Sequence, residues 1–219
     1  MKTLFIEVKK KSFENINIDF SRLPGKIGLL YTIQYSPLFE KIKMQMEKAG
    51  KKVFIGKSSL QPGQIIGCNL SNALEIEKNI DCFVLLTSGK WHGISLALST
   101  DKPIYIIEEG NLRQISPEEI EILKKKRKAA LSKFILAEKI GIIVSTKPGQ
   151  NRLSDALKIK NELIKKNKEV FLFISDCISK NELENFKIDS WLNTACPGIV
   201  FDIPNIINLF EYQSIEKLK

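Results

Sequence analysis

Five polar segments hold most of the residues in this sequence whose side chains do chemistry: Thr32-Ile33-Gln34-Tyr35, Gly63-Gln64-Ile65-Ile66-Gly67-Cys68-Asn69, Thr87-Ser88-Gly89-Lys90-Trp91-His92-Gly93, Ser145-Thr146-Lys147-Pro148-Gly149-Gln150-Asn151-Arg152 and Asn193-Thr194-Ala195-Cys196-Pro197-Gly198. Each borders an apolar run that reads as a strand, and open α/β sheets bind ligands beyond the carboxyl ends of their strands. Any one of them alone reads more readily as a surface turn. Five at one sheet edge favour a site. Two of the four cysteines fall in these segments. Cys68 lies between Gly67 and Asn69 at an expected helix start, where the positive end of the helix favours a thiolate. Cys196 follows a strand and precedes Pro197. Cys82 opens a buried strand and reads as core, and Cys177, after Ser175-Asp176, reads as a bystander. With no CxxC pair, spacing alone makes these ordinary buried free thiols, and disulfides are not expected in a cytosolic chain. His92 is the only histidine and sits in a glycine-flanked loop, where it is either structural or a ligand contact. There is no Ser/His/Asp order or carboxylate pair to suggest hydrolysis. The run from Gly63 to Cys68 lacks the Lys-Ser/Thr of a phosphate loop, and no GxGxxG is present.

The elements that must position these segments alternate. Apolar, β-branched runs predict buried parallel strands over 27–33, 52–55, 82–86, 104–107, 140–144, 169–174, 191–194 and 199–202. Between them, 37–49 carries Leu38, Ile42, Met46 and Ala49 at helical spacing and stops at Gly50. Ser116-Pro117-Glu118-Glu119 is a strong helix start, with Ser as cap and Pro at the first position. The halves repeat: Lys26-Ile27-Gly28 matches Lys139-Ile140-Gly141, and Ile80-Asp81 matches Ile188-Asp189. This self-similarity predicts an α/β fold of two tandem related domains, each a mostly parallel sheet flanked by helices. The expected boundaries are 25–115 for the domain with Cys68, 116–138 for a bridging helix and 139–219 for the domain with Cys196. Residues 1–24 fit neither copy: 3–8 reads as one strand and 9–23 as irregular.

Composition narrows the class. The chain has 219 residues, 43% hydrophobic and 27% charged, enough apolar material for a real core. No run approaches the roughly 18 consecutive apolar residues of a membrane helix, and the start lacks the long apolar stretch of a signal peptide. A soluble cytoplasmic protein is expected. The net charge of +9 comes mostly from lysines spread over helices, without the aromatic–basic interleaving of single-strand binders. Direct nucleic-acid binding and membrane association are therefore not expected.

Taken together, Thr32-Ile33-Gln34, the segment ending Gly67-Cys68-Asn69, Ser88-Gly89-Lys90-Trp91-His92, Thr146-Lys147-Pro148-Gly149-Gln150 and Asn193-Thr194-Ala195-Cys196-Pro197 resemble, in order, motifs of the diphthamide-synthesis 2-(3-amino-3-carboxypropyl)histidine synthases. The resemblance covers essentially the whole chain. It implies three similar α/β domains in the complete family protein, each giving one cysteine to a [4Fe-4S] cluster that binds S-adenosylmethionine. Reductive cleavage then gives a 3-amino-3-carboxypropyl radical that attacks a histidine of translation elongation factor two. By that resemblance Cys68 and Cys196 are metal ligands, while Gln34, Ser88, Gly89, His92, Thr146, Gly149, Gln150 and Asn193 contact the cofactor. Three thiolates leave one iron open for the cofactor's amino and carboxylate groups.

Two departures shape the expectation. The family's first domain and its cysteine have no counterpart beyond residues 3–9, which resemble that domain's last strand, and Gly198 stands where an arginine is common after Cys-Pro. Two cysteines do not make a three-thiolate site, so the leading expectation is a split enzyme completed by a separate chain with the missing domain. Homodimerisation is a further expectation. A non-catalytic accessory or paralogous subunit, and an unrelated small-molecule-binding α/β protein, stand as alternatives, because fold alone does not fix function.

Overall fold

The computed structural model describes residues 3–10, 18–58, 61–203 and 205–217. The chain divides into two compact units, Met1–Glu121 and Ile122–Lys219. In the first, β1 (Lys26–Tyr31), α1 (Ser36–Lys48), β2 (Lys52–Phe54), α2 (Ser71–Ile76), β3 (Cys82–Leu86), α3 (Trp91–Ala97), β4 (Ile104–Glu108) and β5 (Asn111–Gln114) follow in turn. The sheet order is β2-β1-β3-β4-β5, parallel except for β5. The strands read as unbroken apolar runs because both faces are covered. Ile27, Leu29, Val84 and Leu86 pack with Leu38, Phe39, Ile42 and Met46 of α1, while Leu30, Phe83 and Leu85 pack on the other face with Ala73 and Leu96.

α4 (Pro117–Leu136) begins in the first unit and runs into the second. Its cap is as the Ser-Pro-Glu-Glu pattern predicts: the Glu119 N–H donates to Ser116 Oγ at 3.2 Å. The second unit continues with β6 (Lys139–Ser145), α5 (Leu153–Lys165), β7 (Glu169–Ser175), α6 (Lys180–Leu183), β8 (Ser190–Asn193), α7 (Ile199–Asp202), β9 (Ile206–Asn208) and α8 (Leu209–Lys217). Its sheet order is β7-β6-β8-β9, all parallel. Both units are thus α/β sheets with helices on their faces, and the parallel strands of each run in the same order.

The repeated residues have the same jobs in the two units. Gly28 and Gly141 sit mid-strand under bulky neighbours: a Cβ would lie 2.8 Å from Ile80 in the first and 2.3 Å from the Trp191 ring in the second. Asp81 Oδ2 accepts the Lys26 N–H at 3.0 Å, and Asp189 Oδ2 accepts the Lys139 N–H at 2.8 Å. Each aspartate therefore braces the amino end of the strand beside its own. The Lys139 N–H is the main cause holding the Asp189 carboxyl below its ordinary range.

The structure corrects several expectations. Residues 199–202 form a helical turn, α7, with Val200 buried. Four apolar residues after Pro-Gly fit a strand or one turn of helix equally well by pattern, and the outer strand is instead β9. β5 is an antiparallel addition through a Glu109-Gly110 turn in which both residues have positive φ, 50° and 81°. Residues 3–8 make no strand pairing, and Leu4, Phe5, Ile6 and Val8 lie 70–83% exposed. Part of the irregular stretch expected over 9–23, namely 11–17, lies outside the described residues. No helix among the described residues is long and apolar enough to cross a membrane.

Candidate functional site

The five segments stand at the carboxyl ends of two sheets, three on the first and two on the second, rather than along one edge. In the first unit they gather at the ends of β1 and β3, the adjacent strands where the connections turn to opposite sides. The Tyr31 N–H donates to the Gly63 carbonyl at 3.0 Å and the Ile65 N–H to the Tyr31 carbonyl at 2.9 Å, which lays Gln64 beside the end of β1. The chain then folds back on itself. Ile66 and Asn69 exchange N–H···O bonds at 3.2 and 3.0 Å, leaving Gly67 and Cys68 at the tip of the turn. The Cys68 thiol is exposed. It is not on a helix, as α2 begins only at Ser71. A Cβ on Gly67 would lie 1.7 Å from the Trp91 ring, so the tip is pressed against the start of α3.

That contact joins the Cys68 turn to the Ser88–His92 segment. Gly89, at φ 73°, donates its N–H to Glu108 at the end of β4, and Arg113 holds the same carboxylate at 2.8 Å. The Arg113 hydrogen bond is the largest cause lowering the Glu108 pKa. Ser88 hydrogen-bonds the hydroxyl of buried Tyr35, whose pKa is raised chiefly by burial. Gln34 has an exposed side chain, and its carbonyl accepts the Lys10 N–H at 2.9 Å. His92 is half-buried with Nδ1 3.3 Å from Thr87 Oγ1. Burial pushes its pKa below the ordinary imidazole value, so the ring is neutral at pH 7, with one donor and one acceptor.

In the second unit the two segments follow β6 and β8, again neighbouring strands. After β6 the Lys147 N–H donates to the buried Ser145 Oγ at 3.1 Å and the Gln150 N–H to the Lys147 carbonyl at 3.0 Å, a turn closed by Gly149 at φ 78°. Thr146 and Gly149 are exposed there and Gln150 is half-buried. After β8, Asn193 is buried and its amide turns inward, donating to the Cys196 carbonyl and to Asn208 Oδ1, both at 2.8 Å. The Cys196 thiol is half-exposed. Asn208, Glu211 and Arg127, which support this turn, went unread in the sequence. Asn208-x-x-Glu211 at the start of α8 is a capping-box spacing, and that signal was available.

Cys82 is fully buried, and Cys177 is exposed on the loop after β7. The expected pattern with an aromatic disulfide reagent at neutral pH is fast reaction of Cys68 and Cys177, slower reaction of Cys196, and reaction of Cys82 only after unfolding. Burial raises the Cys82 thiol from 9.0 to about 11. The folded chain therefore keeps a proton that the unfolded chain gives up. That contribution to stability is complete below pH 9 and is lost as pH climbs towards 11. A denaturation series across that range checks the sign.

Among the described residues no three of His, Cys, Asp and Glu come together to hold a metal ion. What the five segments offer is a pair of accessible thiols, Cys68 and Cys196, on turns at sheet ends, each beside loops rich in hydrogen-bonding groups. The family model of diphthamide synthesis proteins matches residues 1–212, and the chain belongs to that family. It is 32% identical over 192 residues to the 2-(3-amino-3-carboxypropyl)histidine synthase of Pyrococcus horikoshii, covering 86% of this chain and 55% of that protein. It is 28% identical over 212 residues to subunit 1 of the synthase of that name from Schizosaccharomyces pombe, covering 91% of this chain and 48% of that one. The crystal structure of Dph2 from Pyrococcus horikoshii with a 4Fe-4S cluster superposes with a TM-score of 0.77 at 29% identity, over 91% of this chain and 59% of that one. The chain spans about half the length of the curated relatives it matches.

Proposed function

We propose that this chain supplies two thiolates, Cys68 and Cys196, to the [4Fe-4S] cluster of a 3-amino-3-carboxypropyl transferase acting in diphthamide synthesis, and that a separate chain supplies the third. The observation that carries this reading is the placing of both thiols, accessible, on turns at the carboxyl ends of parallel sheets, in a chain of this family. The donor set fits such a cluster in kind and is one thiolate short of the three that leave an iron open to S-adenosylmethionine. When bound, the cluster supplies the electron that cleaves S-adenosylmethionine. The protein substrate is a histidine of translation elongation factor two, met in the cytoplasm.

The other residues divide by what they can reach. Gln34, Ser88, Gly89 and His92 stand at the edge that carries Cys68, and Thr146, Gly149 and Gln150 at the edge that carries Cys196. They offer hydrogen bonds to the cofactor's amino, carboxylate and ribose groups. A neutral His92 does so without adding charge beside thiolates. Asn193 serves the same site through the Cys196 turn that its amide holds.

Anaerobic iron–sulfur reconstitution tests the reading, with iron analysis and low-temperature EPR after reduction. The isolated chain is expected to retain little iron and show no [4Fe-4S] signal. Adding a polypeptide with the family's first domain and its cysteine is expected to restore the signal. Full cluster assembly in an isolated monomer, or equal iron binding by the Cys68→Ala/Cys196→Ala variant, overturns it. Nucleotide binding without any dependence on iron points instead to a small-molecule-binding protein.

A further inference from the structure

The turn that carries Cys196 is held from behind by a continuous chain of largely buried polar groups, of which the proposed chemistry uses only Asn193. It begins on α4. Arg127, nearly buried, grips Glu211 with two parallel bonds, Nε to Oε1 at 2.9 Å and Nη2 to Oε2 at 2.5 Å, and also donates to the Ile206 carbonyl at 2.7 Å. Glu211 Oε2 accepts the Asn208 N–H at 2.7 Å. Asn208 Oδ1 accepts from Asn193 Nδ2 at 2.8 Å, while Asn208 Nδ2 donates to the Pro197 carbonyl at 3.2 Å. Asn193 completes the chain by donating to the Cys196 carbonyl at 2.8 Å and accepting the Ala195 N–H at 2.9 Å.

The carbonyls of Cys196 and of Pro197 are therefore both fixed by buried asparagine amides, Asn193 at 1% exposure and Asn208 at 4%. A buried ion pair with two buried amides is a poor way to gain stability, since apolar groups of similar volume do as well or better. What such a network gives is one geometry, because every member has its partner and none can turn without leaving another unsatisfied. The Cys68 turn is closed differently, by its own backbone bonds and by the Trp91 ring. We propose that Asn208, locked by the Arg127–Glu211 pair, is the positioning residue that sets the aim of the Cys196 thiol. The proposal rests on the reading of Cys196 as an iron ligand, for which groups one step behind a ligand typically change metal affinity about 10- to 100-fold.

Asn208→Ser tests it, because serine keeps the backbone N–H that Glu211 accepts and is a favoured residue before a helix, while losing the amide that reaches Pro197. Glu211→Gln is a second variant that keeps the shape of the network and removes the carboxylate charge that pairs with Arg127. The first readout is the rate of iodoacetamide alkylation of Cys196 in the full-length, iron-free chain, with Cys68 in the same molecule as reference and circular dichroism as the check on folding. Asn208→Ser is expected to change the Cys196 rate about threefold or more and leave Cys68 unchanged, with Glu211→Gln in between. The second readout is cluster content and EPR line shape in the reconstituted complex, where a roughly 10- to 100-fold weaker retention of iron is expected. Folded variants whose Cys196 rate and cluster signal both match the parent overturn the proposal. A changed alkylation rate with a cluster indifferent even to Cys196→Ala leaves the positioning role standing and overturns the ligand role instead.

Discussion

Cys68→Ala and Cys196→Ala are each expected to abolish diphthamide formation in a host that depends on this chain, as read by mass spectrometry of elongation factor two. The loss should exceed by a wide margin the roughly 10- to 100-fold that changes behind a ligand produce, because a thiolate is removed outright. Stability should hardly move for Cys68→Ala. The side chain is exposed, and surface substitutions away from special features stay within about 0.5 kcal/mol. Cys177→Ala is the matched control: an exposed thiol in the same protein, outside the candidate site, whose removal leaves modification intact. Normal diphthamide levels in the Cys68→Ala and Cys196→Ala hosts would make the chain an accessory subunit and remove it from the chemistry.

Gly67→Ala should be the most damaging single methyl at the Cys68 turn. The added carbon lands 1.7 Å from one atom of the Trp91 ring and 2.1 Å from the next, so either the ring or the turn must leave. Overpacking of this kind costs about 1–3 kcal/mol. The functional loss should outrun the loss of stability, because the atom that moves with the turn is the Cys68 sulfur. A double-mutant cycle separates the two effects. Trp91→Leu clears the space, so Gly67→Ala on that background should cost much less stability than it does alone, with the difference measuring the contact. Additive costs in urea melts would mean that the ring does not press on the turn.

The strands with both faces covered were legible because a parallel sheet between helices needs unbroken apolar runs, and 82–86 and 140–144 supply them. The start of α4 was legible for a local reason: Ser116 and Glu119 interact three residues apart. Elements decided at a distance were not. Residues 199–202 coil rather than extend because Ile206-Ile207-Asn208 takes the place beside β8. Cys68 looked like a helix start, and it is a turn because Gln64 pairs with Tyr31, more than thirty residues back. Cys68 and Cys196 were singled out by the motifs around them and not by their spacing, which is ordinary. Of the support behind Cys196, the Asn208–Glu211 pairing was a local pattern, while the Arg127 link was out of reach, since Arg127 and Glu211 meet across 84 residues.

The parallel strands of both units share one order, yet the two thiols stand at different steps along it. Cys68 precedes β3 and is anchored to the end of β1, whereas Cys196 follows β8, the counterpart of β3. The likeness of the two scaffolds therefore stops short of their thiols: a change that shifts the β1 end reaches Cys68, while the matching change in the second unit, at the end of β6, reaches a following loop without a cysteine.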